Sequence, residues 1–142
     1  MLAGARAVTA NDIDVTAETV LRANCELNSV GTSDRQKIAF SAANFLTEDS
    51  GCEEMLRDVD MILIGDMFYD QEIGEAVIKL CERFKQLGSG KEVLLGDPGR
   101  WFLQSSSRTI QAMFTPVAKY SLTPETRREN YGFHQGIVWK MK

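Results

Sequence analysis

The 142-residue sequence is poor in the groups that usually announce a chemistry. It has one histidine, His134, and three cysteines, Cys25, Cys52 and Cys81, with no C-x-x-C spacing. No metal site is therefore expected, because zinc needs four clustered ligands. An odd cysteine count argues against a disulfide framework, and a reducing compartment suits the three thiols best. Cys25 and Cys81 fall on apolar stripes of predicted helices, where cysteine is simply a small buried residue. Long apolar runs are missing too. Met61–Gly65, the longest, is far short of the roughly 20 residues that cross a bilayer, so no membrane partner is expected. The start, Met1-Leu2-Ala3-Gly4-Ala5-Arg6, has no apolar signal core and no Ser/Arg-rich presequence composition. Gly88-Ser89-Gly90 precedes a predicted strand rather than a helix and so fails the context of a phosphate loop.

What is present is ordinary for a globular chain. Hydrophobic residues make up 44% and charged residues 25%, which excludes a disordered tail or a collagen-like repeat. The net charge of −4 argues against a nucleic-acid binder, which needs a basic footprint. Residues 1–80 carry 6 Lys/Arg against 15 Asp/Glu, net −9, and residues 81–142 carry 10 against 5, net +5. An acidic half of this kind suits a cationic partner, such as a protein presenting lysines, or is simply a solvated face.

Apolar periodicity predicts strands alternating with helices. Strands are expected over 5–11, 37–41, 59–65 and 92–96, the third nearly continuous in apolar residues as in buried parallel strands. A helix over 15–28 is expected to be capped by Asp14 and stopped by Gly31. The clearest helix carries Ile73, Ala76, Val77, Leu80, Cys81, Phe84 and Leu87 at 3–4-residue spacing, with Asp70 as its N-cap and Gly88 at its end. Residues 47–58 read as a polar surface connection with one helical turn, 106–114 as a short helix, and 116–122 with 133–140 as a closing antiparallel pair. The class is α/β with a mostly parallel sheet, in which ligands lie beyond the carboxyl ends of the strands.

That rule selects three segments. Asp12, at the end of the first strand, is placed to accept hydrogen bonds from a ribose diol, although helix caps are also often aspartate. Asp66-Met67-Phe68-Tyr69-Asp70 crowds two carboxylates and two aromatics into one loop, an environment that attracts a cation or orients an amine. Gly96-Asp97-Pro98-Gly99-Arg100 is a tight turn in which Asp97 either faces the cleft or serves the turn alone. His134, lone in an alternating segment, reads as structural.

Taken in order, Ala10-Asn11-Asp12-Ile13-Asp14, Asn24-Cys25-Glu26-Leu27-Asn28, Gly65-Asp66-Met67-Phe68-Tyr69-Asp70, Leu94-Leu95-Gly96-Asp97-Pro98-Gly99-Arg100 and Thr126-Arg127-Arg128-Glu129-Asn130 through Val138-Trp139 resemble the electron transfer flavoprotein beta-subunit lysine methyltransferase family. That family lies in the seven-β-strand, Rossmann-like class and is related to ribosomal-protein methyltransferases. The resemblance implies S-adenosylmethionine as cofactor, a protein lysine as acceptor, and the mitochondrial matrix as location, with cytoplasm as the alternative. By the same resemblance Asp12 binds the ribose hydroxyls, Asn44 and Phe45 lie beside the adenine, and Asp66 and Tyr69 line the methyl-acceptor site. Asp66 also borders the cofactor, with Asp97 behind it.

The class carries a glycine-rich loop after its first strand. By the resemblance, the first strand here corresponds to the family's second, so 1–142 is expected to be the C-terminal part of one methyltransferase domain. The family's first strand lies between the strands matched by 5–11 and 59–65, so two facing edges are expected to lack partners. The alternative function is a non-catalytic methyltransferase-like fragment that binds a protein partner.

Overall fold

Strands and helices do alternate. The computed structural model describes residues 4–47, 50–105, 108–129 and 132–142, and the chain divides into two units, Met1–Asn44 and Phe45–Lys142.

The first unit contains β1 (Val8–Asn11), α1 (Ala17–Leu27), α2 (Thr32–Arg35) and β2 (Ile38–Ser41). β1 and β2 pair in parallel, with Val8 opposite Ile38 and Asn11 opposite Ser41. α1 begins later than the periodicity predicts. Asp14 Oδ1 accepts the Thr16 N–H at 2.8 Å and its hydroxyl at 2.7 Å, making a turn that leads into the helix rather than a cap on it. These bonds hold the Asp14 carboxyl below the usual carboxylate range. The helix is not stopped by Gly31. Ser29 adopts a left-handed φ of 52°, its N–H donates to Glu26 O, and the Val30 N–H reaches Cys25 O. This is the paired C-terminal closure normally built on glycine. No residue of α1 is buried, Cys25 is only half-buried, and Leu27 is 81% exposed. A two-stranded sheet offers a helix too little surface to cover its apolar stripe.

The second unit contains α3 (Ser50–Arg57), β3 (Met61–Gly65), α4 (Gln71–Gln86), β4 (Glu92–Asp97), α5 (Trp101–Ser105), α6 (Arg108–Met113), β5 (Phe114–Ser121), α7 (Pro124–Glu129) and β6 (Gln135–Met141). The sheet order is β3-β4-β6-β5. β3 and β4 are parallel, and β6 runs antiparallel to both β4 and β5. The predicted closing pair is thus present, with a register shift between Pro116 and Ala118. The core is the inner face of α4, with Val77, Ile78, Leu80, Cys81 and Phe84, packed with Val93 and Leu95 of β4. Burial pushes the Cys81 thiol up to about 12, so it is inert at neutral pH. Asp70 caps α4 by accepting the Ile73 N–H at 3.1 Å.

Several expectations are corrected. Residues 47–58 are not one turn in a polar connection. They contain α3, whose Cys52 and Leu56, four residues apart, are buried. The Lys91 ammonium donates to the carbonyls of Leu56, Arg57 and Val59 at the end of α3 and lies 5.4 Å from the Phe84 ring centre. β3 is not a fully buried strand, since Leu63 is 74% exposed. Its position at the edge of the four-stranded sheet leaves one side without a strand partner among the described residues. The same holds for β1 in its own sheet. Gly88 ends α4 without a left-handed φ. Of the helix expected over 106–114, α6 covers Arg108–Met113, while Ser106 and Ser107 lie outside the described residues, as does Asn130 of the last motif. α2 and α7 were not expected from periodicity.

Gly74 shows how α5 is seated against α4. A Cβ at this buried position would lie 2.8 Å from the Phe102 ring, which itself stacks on Phe68 at 5.2 Å. Gly74→Ala gains about 1 kcal/mol of helix propensity. It forces the ring away at a cost of about 1–3 kcal/mol. A net loss on the order of 1 kcal/mol is expected in urea unfolding. Equal or higher stability would show that Phe102 moves freely.

Candidate functional site

The register of the parallel pair builds the site. Gly65 stands opposite Gly96, so the residues that follow β3 and β4 emerge side by side at the carboxyl end of the sheet. Alternation along β4 buries Val93, Leu95 and Asp97, whose carboxylate is only 3% exposed. Asp97 Oδ2 accepts the Gly99 N–H at 2.8 Å and the Arg100 N–H at 3.1 Å. Gly99 takes a φ of 101°, which a side chain rarely tolerates, and so closes the turn tightly. Asp97 therefore serves the turn. Burial pushes its carboxyl up from the ordinary value, against the two backbone donors that pull it down.

The turn delivers Arg100 to Asp66. Arg100 Nε meets Asp66 Oδ1 and Nη2 meets Oδ2, each at 2.7 Å, a two-pronged contact between planar groups. The guanidinium carbon lies 4.9 Å from the Phe133 ring centre. Asp66 itself has a left-handed φ of 50°, and its N–H donates to Gly96 O at 2.8 Å. The cation environment inferred for Asp66 thus exists, but its aromatic face is Phe133. Phe68 is buried in the core, and Tyr69 is 58% exposed. Asp70 is committed to its helix cap.

In the first unit, Asp12 follows β1 and Asn44 follows β2, at the same end of that parallel pair. The Asn11 side chain donates to Ser41 O and Ala43 O and holds the two strand ends together. Asp12 Oδ1 accepts the Asp14 N–H at 2.9 Å, and Oδ2 has no hydrogen-bond partner among the described residues. An exposed carboxylate with a spare oxygen beyond a parallel strand fits a ribose diol. Asn44 is exposed. Phe45 belongs to the second unit, where its half-buried ring packs on the core and its carbonyl accepts Arg83 Nη2 at 2.9 Å. A half-buried ring keeps part of its surface for stacking. Among the described residues there is no group of acids, histidines and cysteines able to hold a metal ion, and no helix is long and apolar enough to cross a membrane.

Sequence reasoning missed Arg100 and Phe133 as members of the site. The signal for Arg100 was present, as an arginine just past a Pro-Gly turn beside an acid at the adjoining strand end. Phe133 carried no local signal, because the antiparallel return of β6 alone brings it there.

No family model matches the chain. The motif-based resemblance is nevertheless borne out by curated relatives. The chain is 37% identical over 143 residues to the electron transfer flavoprotein beta subunit lysine methyltransferase of Xenopus laevis, covering 99% of this chain and 52% of that protein. It is 33% identical over 141 residues to the Homo sapiens protein of that name, covering 97% and 47%. The Caenorhabditis elegans homolog is 31% identical over 151 residues, covering 99% and 60%. The chain spans about half the length of the first two. Among solved structures, the methyltransferase domain of bacterial CtHen1-C is similar with a TM-score of 0.57 at 9% identity, covering 96% of this chain and 77% of that one. A candidate methylase from Haemophilus influenzae has a TM-score of 0.50 at 13% identity, covering 96% and 73%. The fold is accordingly of the Rossmann-like methyltransferase kind.

The buried Asp97 carboxyl gives a test of this geometry. Its folded pKa lies above the 3.8 of an ordinary aspartate, so its proton is held more tightly in the folded chain. Its contribution to stability is full below that value and declines as pH rises through the folded pKa. The stability of the protein relative to Asp97→Asn should therefore shrink in urea titrations as pH rises above the ordinary aspartate value. A difference that grows with pH would mean that the backbone donors outweigh burial.

Proposed function

We propose that the chain forms part of an S-adenosylmethionine-dependent protein-lysine N-methyltransferase acting on the beta subunit of electron transfer flavoprotein. The observation that carries this reading is similarity at 30–37% identity, over 97–99% of the chain, to curated proteins bearing that name. The mitochondrial matrix is assigned to the reaction on the resemblance alone.

Asp12 would take the ribose hydroxyls on its spare oxygen, with Asn44 and the open part of the Phe45 ring beside the adenine. Asp66 and Tyr69 would receive the lysine. When bound, S-adenosylmethionine would supply an electrophilic methyl group to the lone pair of the lysine amine, and the amine would give up one proton to solvent. Transfer of this kind depends on an uncharged amine held in line more than on a strong base. Asp66 accepts a hydrogen bond from that amine and so aims its lone pair. The stretch 45–80, which carries α3, β3 and the start of α4, holds 10 Asp/Glu against 2 Lys/Arg. That field suits approach by a lysine-bearing protein.

Calorimetry on the folded chain should show heat on adding S-adenosylmethionine, and Asp12→Ala should weaken binding by about ten- to a hundred-fold, the worth of hydrogen bonds to a charged group. No heat from a folded sample would leave the protein-binding fragment as the better reading. Asp66→Ala should reduce lysine methylation at least about a hundred-fold while circular dichroism stays unchanged. Unaltered turnover would remove Asp66 from the reaction.

A further inference from the structure

Asp66 is not a bare carboxylate. Both of its oxygens are gripped by Arg100, and the grip is built in rather than incidental. The Arg100 backbone N–H is held by the buried Asp97, Gly99 closes the turn before it, and its guanidinium lies over Phe133. The Arg100 side chain is 22% exposed and that of Asp66 47%, so the cation is the shielded partner and the carboxylate is the accessible one.

We infer that Arg100 is a positioning residue of the acceptor site, which neutralises Asp66 so that the carboxylate receives an uncharged amine instead of trapping an ammonium. The inference rests on the methyltransferase reading above. A lone carboxylate a few ångströms from an amine raises the amine pKa, and each unit of rise cuts the neutral fraction ten-fold. A protonated amine has no lone pair to donate. The paired carboxylate behaves differently. Two N–H···O bonds use one lone pair on each oxygen and leave one on each for a further donor. Guanidinium keeps its charge throughout the working pH range, so the neutralisation does not titrate away. Lysine at position 100 would offer a flexible point charge without the fork.

A pH–rate profile with a lysine peptide and S-adenosylmethionine, run on Arg100→Gln and Arg100→Lys, tests this. Arg100→Gln should lower kcat at neutral pH about ten-fold, with KM changed less than about three-fold, and shift the profile up about one unit so that activity returns at high pH. Arg100→Lys should lie between. A loss equal at every pH marks a merely structural residue and overturns the proposal. A lowered KM with kcat retained would mean that Arg100 only occupies the amine's seat, and overturns it too. Either of those outcomes overturns the proposal alone, whereas a parent chain that methylates no lysine peptide overturns the methyltransferase reading and this role with it.

Discussion

The pleat of β4 is the constraint from which the site follows. Side chains two apart share a face, so the row that buries Val93 and Leu95 also buries Asp97. A carboxylate in that position must be hydrogen-bonded, because a buried polar group left unmet costs on the order of 1–3 kcal/mol. The N–H groups of Gly99 and Arg100 meet it, and they do so only if the chain turns sharply after the strand. The turn then projects the Arg100 side chain over the end of β3, where Asp66 waits. A core requirement of one strand is thereby transmitted to a surface carboxylate on its neighbour.

Legibility in the sequence followed the range of the interactions. α4 was readable because seven apolar residues at helical spacing, an aspartate cap and a compact core all agree. The parallel β3–β4 pair and the antiparallel close were readable from alternation. α3 was not, since of its apolar residues only Cys52 and Leu56 are buried, Met55 is exposed, the setting is acidic, and its last carbonyls are met by Lys91, more than thirty residues away. The Ser29 closure of α1 was hidden because the left-handed position carries serine where glycine is the usual mark. Asp66 and Asp12 were singled out by their places after strands. Arg100 and Phe133 join the site through strand register and sheet return, neither of which local pattern encodes.

The two units differ in how far they satisfy their own apolar residues. The second has a dense centre in Phe84, Cys81, Val77, Val93 and Leu95. The first is a two-stranded parallel ribbon with α1 only half-covered, and such ribbons are marginal by themselves. The edge residues match this contrast. Val8 on β1, and Met61 and Leu63 on β3, are exposed on strands with an unpaired side among the described residues. Edges of this composition are normally paired or covered in folded proteins. Asp12 and Asn44 thus stand on the less secured framework of their own unit, and Asp66 on the firmer one of its own.

Energetics separates stabilisation from function at Asp66. A half-exposed ion pair contributes about 1 kcal/mol or less to folding, even when well formed, because solvent screens it and two side chains are immobilised. A non-glycine residue held at a left-handed φ costs on the order of 1–3 kcal/mol, towards the low end for aspartate. The Asp66 N–H to Gly96 O bond recovers about 1 kcal/mol of that. The sum is close to zero, so the local geometry gains the fold almost nothing. Glycine at position 66 would remove the strain and keep the backbone bond. What glycine would lose is the carboxylate, fixed at the open end of the sheet with its charge balanced by a shielded guanidinium. The arrangement is thus neutral for stability and specific in its charge and direction.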